Sequence, residues 1–397
     1  MKTKFLQLCS TSLLSLVAVA CSSDDEGTPT LPANAADAVS NYADIVYASY
    51  SDSLAAAQAL DASIDDFLAA PSAQGLDAAR DAWLASREPY LQTEVYRFYD
   101  GPIDNPDDGP EGLINAWPLD ENYIDYVVDG EDAGIVNDPE MTIDKASIMG
   151  ANEGINEKSI STGYHAIEFL LWGQDLDPDG PGDRPYTDYV TDGTGTASNQ
   201  ERRGQYLAAV SDLLLDHLQM LVDAWDPASD DNYRAEFLAL EPAEALGKLM
   251  SGMIILSGFE TGGERLQAAL LAKDQEEEHS CFSDNTHRDM VQDVQGVRNV
   301  WTGEYTRTDG SEVSGTSLRE VIAAGDADVA ARISSRIDQS LELAGDLQRP
   351  FDQEIAVGNA DGNARVDALA VSLFEQRTVL EEAFRLYGLT RIADPAP

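Results

Sequence analysis

The period of the apolar residues constrains this chain more than any other feature. Val39, Tyr42, Val46, Tyr50 and Leu54 step by three and four, as do Leu207, Val210, Leu214, Leu218, Leu221 and Trp225. That spacing keeps one face of a helix apolar. Further runs of the same kind span 76–99, 245–271, 317–347 and 365–387, while alternating strand patterns are scarce. The fold class is therefore all-α. Long amphipathic helices joined by turn-rich segments at 102–110 and 175–185 predict packed bundles rather than a helical solenoid.

The N-terminal residues read as an export signal. Lys2 and Lys4 precede an apolar run, Leu13 to Ala20, that is too short to span a membrane as a mature helix. The run ends at Ala18-Val-Ala-Cys21, which is similar to a lipoprotein processing box in which Cys21 becomes the lipidated first residue. The polar stretch 22–34 then suits a flexible tether. Ser22 after the lipid cysteine carries no inner-membrane retention signal, so the expected location is the periplasmic side of the outer membrane, with the membrane as partner through Cys21. Of three cysteines, Cys9 leaves with the signal and Cys21 goes to lipid, leaving Cys281 and no intramolecular disulfide. The formal charge of −47 excludes nucleic acid as a partner, because phosphate would be repelled. The same field concentrates cations near any acidic cleft.

Chemistry enters at Gly163-Tyr-His-Ala-Ile-Glu-Phe-Leu-Leu-Trp-Gly173, which places one of only four histidines three residues before a carboxylate in an apolar helical run. Positions i and i+3 share a helix face, so His165 and Glu168 can reach one point together. An unpaired Glu would be expensive in such a segment, and imidazole beside carboxylate suits a divalent ion such as zinc or iron. The bland alternative is a satisfied core histidine beside a helix-edge carboxylate.

HxxE supplies two ligands, and a metal site needs three or four. Bundle sites recruit the rest from neighbouring helices. Glu94 is the leading candidate, at the end of a helix on which Trp83, Arg87, Tyr90 and Glu94 share one face, an aromatic and charged stripe that suits a cleft wall. Glu276 and His279 form a second acid–histidine pair at i, i+3, followed by Asp284 and His287 in a loop-like stretch. Asp120 in Trp117-Pro-Leu-Asp120 is available to orient a ligand histidine. His217 lies on the apolar face of Leu214, Leu218 and Leu221 and reads as a core residue. Asp175-Leu-Asp-Pro-Asp-Gly180 imitates the start of a calcium loop but has Tyr186 where the bidentate Glu is required, so it reads as a structural turn with calcium as the alternative. There is no Gly-x-Ser-x-Gly elbow, no glycine-rich phosphate loop before a helix, and no His-Glu-x-x-His.

Gly163, His165 and Glu168 together match GxHxxE, and over roughly residues 36 to 390 the chain resembles the imelysin family of bacterial envelope proteins. Two further blocks look like its iron-regulated branch: 96–104 continuing through 109–120, and 274–287. The resemblance implies two related helical bundles, giving a signal at 1–20, a tether at 21–35, a first bundle carrying GxHxxE at 36–275 and a second at 276–397. It also implies iron as the cofactor, with zinc as the alternative, and envelope iron-uptake or redox proteins as partners. The expected function is metal binding in iron acquisition or handling. The rival expectations are a zinc metallopeptidase using the same pair, and a non-catalytic module that binds a peptide or a metal carrier.

Overall fold

The computed structural model describes residues 30–394. The signal-like run and Cys21 lie outside the described residues. Helices make up 63% of the described residues. The long ones are α1 (Ala35–Ala69), α2 (Ala73–Leu91), α3 (Gly163–Trp172), α4 (Gln200–Trp225), α5 (Pro242–Ile255), α6 (Thr286–Thr302), α7 (Leu318–Gly325), α8 (Ala327–Gly345) and α9 (Ala360–Tyr387). Among the described residues the one sheet is the hairpin of β1 (Glu304–Thr306) and β2 (Glu312–Ser314), with Tyr305 opposite Val313. Strands of three residues carry too little alternation to stand out in the sequence.

The apolar stripe of α1 packs on α2 and α4 and forms the centre of the larger core, with Val46, Leu60 and Ile64 fully buried. A second cluster joins Leu266, Met290, Val294, Phe351, Val366 and Leu369. The chain passes between them along α5, which continues into a π-helical stretch, Leu256–Gln267, and a last turn, Ala268–Ala272. The 317–347 run is broken at Asp326, whose carboxylate caps α8 by accepting from the N–H groups of Asp328 and Val329.

Helix α3 is buried over its whole length, all ten residues. A helix with no wet face must have its orphaned terminal carbonyls satisfied by protein. Arg80 donates to Leu171 O at 3.1 and 3.0 Å, Tyr189 Oη to Leu170 O at 2.6 Å, and Arg184 N to Trp172 O at 2.7 Å. Trp83 Nε1 on α2 donates to Tyr164 O at 3.0 Å and fixes the first turn. At that end the chain enters through Gly163 with φ of 80°, and a Cβ there would stand 2.4 Å from Ile114 O. The glycine of the motif thus seats α3 against the 113–115 backbone. Gly163→Ala combines a left-handed φ with a backbone clash and is expected to destabilise the fold by about 2 kcal/mol or more. Denaturant unfolding of the variant checks this, and an unchanged midpoint would contradict it.

Candidate functional site

His165 projects from α3 beneath the loop 278–285, where it meets His279. The ring centroids are 4.9 Å apart with planes at 72°, and both side chains are 1% exposed. Each imidazole has its Nδ1 held by a carboxylate. His165 Nδ1 lies 2.8 Å from Glu168 Oε2, and His279 Nδ1 lies 2.7 Å from Asp289 Oδ2 in the first turn of α6. The remaining nitrogens differ. His165 Nε2 is buried with no hydrogen-bond partner, whereas His279 Nε2 has only a long contact, 3.4 Å, to Asn115 Nδ2.

The carboxylates are themselves fastened. Glu168 Oε1 accepts from Ser283 N at 3.0 Å and Ser283 Oγ at 2.7 Å, so both of its oxygens are occupied. Asp289 also accepts from Ser280 Oγ and, at 3.1 Å, from Asn285 Nδ2. A carboxylate that grips Nδ1 fixes the ring orientation and directs Nε2 outward, the usual support for a metal-binding histidine.

Arg87 forms the floor. Its guanidinium stacks on Trp83, Tyr90 and Tyr164 at 5.4, 5.5 and 4.8 Å, donates to Asn115 Oδ1 at 2.6 Å, and lies 3.7 Å from Asp289. Glu94 follows α2 in a 3-10 turn, Glu94–Tyr96. Its Oε2 receives Arg97 at 2.6 Å and Arg265 at 2.5 Å, while Oε1 is buried without a partner. Arg265, from the π-helical stretch, also donates to Asp293 Oδ2 at 2.9 Å. Burial, and then the nearby Arg87 and Arg265, hold the His165 imidazole well below its ordinary range, and the same forces act on His279. Burial works against ionisation of Glu94, yet Arg97 and Arg265 hold its carboxyl well below the usual range. Burial pushes the Glu168 carboxyl up to about 8.

The structure thus brings together His165, Glu168, Arg87, Glu94 and His279. It does not bring in Asp120, which is exposed and caps the short helix Glu121–Ile124 by accepting from Asn122 N. Glu276 is exposed in the 3-10 turn Gln275–Glu277 and makes no pair with His279. Trp117 packs edge-on against His279 at 5.8 Å. His217 is 9% exposed on the core side of α4, with Nδ1 unpartnered. Asn115, Ser283, Asp289 and Arg265 were missed. For Asp289 a signal existed: with Asp293, Val297 and Val300 it shares one face of α6, and two carboxylates on an otherwise apolar face call for partners.

The donor set suits a borderline transition metal in part. Two imidazoles in their neutral, ligating form present Nε2 atoms backed by carboxylates, and Glu94 Oε1 is free. Among the described residues no three His, Cys, Asp or Glu side chains are arranged to hold an ion outright. The site is a preorganised imidazole pair rather than a finished coordination shell.

Protonation here has a measurable consequence. Glu168 at about 8, with Glu121 and Asp284 at about 7, all raised first by burial, retain protons in the folded chain that the unfolded chain loses near 4.5 and 3.8. Near pH 6.5 the unfolded histidines are still partly protonated while the buried ones are neutral, an opposing contribution that fades by about pH 7.5 and is smaller than that of the carboxyls. Folding therefore takes up protons in this window, and stability falls as pH rises. Metal-free protein is expected to melt lower at about pH 8.5 than at about pH 6.5. A melting temperature that rises across that interval would contradict the assignment.

Comparison with known proteins agrees with this architecture. The imelysin (peptidase M75) family model matches residues 46–380. A protein of Synechococcus elongatus named iron-regulated protein A is 24% identical over 321 residues, 79% of this chain and 75% of that one. The crystal structure of a putative iron-regulated protein A precursor from Parabacteroides distasonis superposes with a TM-score of 0.67 at 21% identity, covering 90% of this chain and 97% of the other. An imelysin-like protein from Psychrobacter arcticum gives 0.64 at 14% identity, covering 92% and 99%. These likenesses extend to the helical architecture itself, and with the match over 46–380 the chain belongs to the imelysin family.

Proposed function

We propose that this protein is an envelope lipoprotein that binds a transition metal, iron before zinc, at the His165 and His279 pair, in iron acquisition or handling. The observation that carries the reading is His165 Nε2: a buried, unpartnered imidazole nitrogen whose ring is oriented by Glu168 through Nδ1. An unmade hydrogen bond in the interior is costly, so such an atom calls for a ligand. HxxE then acts as one unit, with His165 as donor and Glu168 as its orienting base, and Glu94 contributes through its free Oε1. Iron is favoured over zinc because relatives of this chain carry the name iron-regulated protein A. Burial of both imidazoles to 1% favours an ion over an extended polypeptide as the thing bound. The division into two bundles near residue 275 belongs to the same proposal.

Protein purified from its native compartment is expected to contain iron. His165→Ala and His279→Ala should each lose most of it, and Glu168→Gln should weaken binding by about 10- to 100-fold, as loss of an orienting carboxylate does. His217→Gln should keep the metal. Elemental analysis with thermal melting of the same samples reads these outcomes. Full occupancy in both His165→Ala and Glu168→Ala would refute the site, and metal-dependent turnover of casein abolished by Glu168→Gln would replace this reading with a peptidase.

The anchoring proposal rests on Cys21 at the end of the apolar signal run. Cys21→Ser is expected to release the protein from membranes into the soluble fraction, which fractionation and immunoblotting would measure. Unchanged membrane association would rule out the lipid anchor.

A further inference from the structure

Arg87 is 0% exposed, yet its guanidinium is only partly used. Nη1 donates to Asn115 Oδ1 at 2.6 Å, while Nε and Nη2 are both buried with no hydrogen-bond partner. Those two atoms form one edge of the guanidinium, and their parallel N–H groups match the two oxygens of a carboxylate. Elsewhere in this molecule the same edge is filled in that way. Arg203 places Nε and Nη2 on the two oxygens of Asp125 at 2.6 and 3.0 Å, and Arg288 places them on Glu88 at 2.8 and 2.7 Å. Among the described residues, Arg87 is the buried arginine that leaves both atoms of the edge unpartnered.

No neighbouring acid supplies what the edge lacks. Asp289 Oδ2 stands 3.7 Å from Nη2, too far for a hydrogen bond, and is already bonded by His279 Nδ1 and Ser280 Oγ. Tyr90, whose ring lies 5.5 Å from the guanidinium, also has an unpartnered hydroxyl. Donors left unmade in the interior are costly, so this corner calls for an acceptor. It lies against the imidazole pair. Asn115 holds Arg87 through Oδ1 and approaches His279 Nε2 through Nδ2 at 3.4 Å, so one amide spans the distance between them.

We propose that Arg87 seats a carboxylate-type oxyanion through Nε and Nη2, and that the metal of the imidazole pair is taken up as a carboxylate or carbonate complex rather than as a bare aqua ion. The second half rests on the metal reading above. Among the described residues no three His, Cys, Asp or Glu side chains are arranged to hold an ion outright, and an oxyanion on Arg87 brings oxygen ligands to a shell that two imidazoles leave short. The formal charge of −47 repels a free anion, so an oxyanion reaches a buried arginine more readily in the company of the cation it coordinates. Arginine suits this seat because its planar fork is always charged and takes two oxygens at once.

The test uses the full-length protein, stripped with a chelator and kept anaerobic in bicarbonate-free chloride buffer. In the metal-free protein, sodium bicarbonate or sodium citrate should raise the melting temperature above that in sodium chloride of equal ionic strength. Arg87→Lys keeps the charge and loses the fork, and should remove the difference. Titrated with ferrous chloride, the unmodified protein should bind iron about tenfold or more tightly with bicarbonate than with chloride alone, and in Arg87→Lys that ratio should fall to about one. A response to citrate alone would make the oxyanion a chelator's carboxylate, and a response to bicarbonate alone would make it a solution anion. An equal response to phosphate would overturn the carboxylate assignment. Should Arg87→Lys fail to fold, a crystal structure of the unmodified protein grown in bicarbonate decides: a planar group bonded to Nε and Nη2 supports the seat, and a lone water there overturns it. Iron bound equally in both media, with no anion-dependent melting, would overturn the proposal and leave the metal site standing. Anion-dependent melting that is lost in Arg87→Lys, without iron binding in any medium, would sustain the seat and overturn the metal reading.

Discussion

A helix with no solvent-facing side sets the terms for the rest of this molecule. Because all ten residues of α3 are buried, its terminal carbonyls and the Glu168 carboxylate need protein partners, and of its buried side-chain atoms only the Tyr164 hydroxyl and His165 Nε2 are left without one. Its C-terminal carbonyls draw in Arg80, Tyr189 and the backbone of Arg184, and its first turn draws in Trp83. Glu168 draws in Ser283, 115 residues away. The loop 278–285 and the excursion that carries Arg184 are therefore held where they are by the polar demands of one short helix. The apolar packing of α1, α2 and α4 supplies the surrounding wall.

Charge is distributed against the composition. With 72 acidic and 25 basic residues, the chain could solvate its acids and leave its few arginines outside. Instead Arg87, Arg184, Arg203 and Arg265 are buried, and each is paired with a carboxylate or stacked on aromatic rings. Removing one partner from such a set strands a charge and costs several kcal/mol, about 3–5 in comparable cases. The arginines near α3 also keep His165 and His279 neutral, which is the form that offers a lone pair.

The helices were legible because helical period survives in single sequences, and the runs at 245–271 and 365–387 fall within Pro242–Ala272 and α9. The pairing of His165 with Glu168 was legible for the same reason, since i and i+3 share a face. What that pairing does was not. Two residues on one face can ligate an ion side by side or bond to each other, and only Ser283, remote in sequence, decides between these by occupying the second oxygen of Glu168. The partner of His279 differs from the expected one: helical spacing points to Glu276, but the segment folds as a 3-10 turn, and Asp289 from the following helix takes the ring. Asp120 was read as a ligand orienter when its local job, capping a four-residue helix, already used its carboxylate.

The floor and the roof of the imidazole pair differ in how readily they can move. Below, Arg87 is locked by three aromatic faces, Asn115 and Asp289, and shifting it would uncover a charge. Above, the loop 278–285 is fastened by hydrogen bonds alone: Ser283 N and Oγ to Glu168, Ser280 and Asn285 to Asp289, Arg349 to Ser283 O, and Gly182 to Phe282 O. Each such bond contributes about 1 kcal/mol net. Opening the loop therefore costs a handful of hydrogen bonds, whereas moving Arg87 strips away its aromatic faces, Asn115 and Asp289 together. Ser283 is where the roof and the imidazole pair meet, since the loop's hold on α3 runs through Oε1 of the same carboxylate whose Oε2 orients His165.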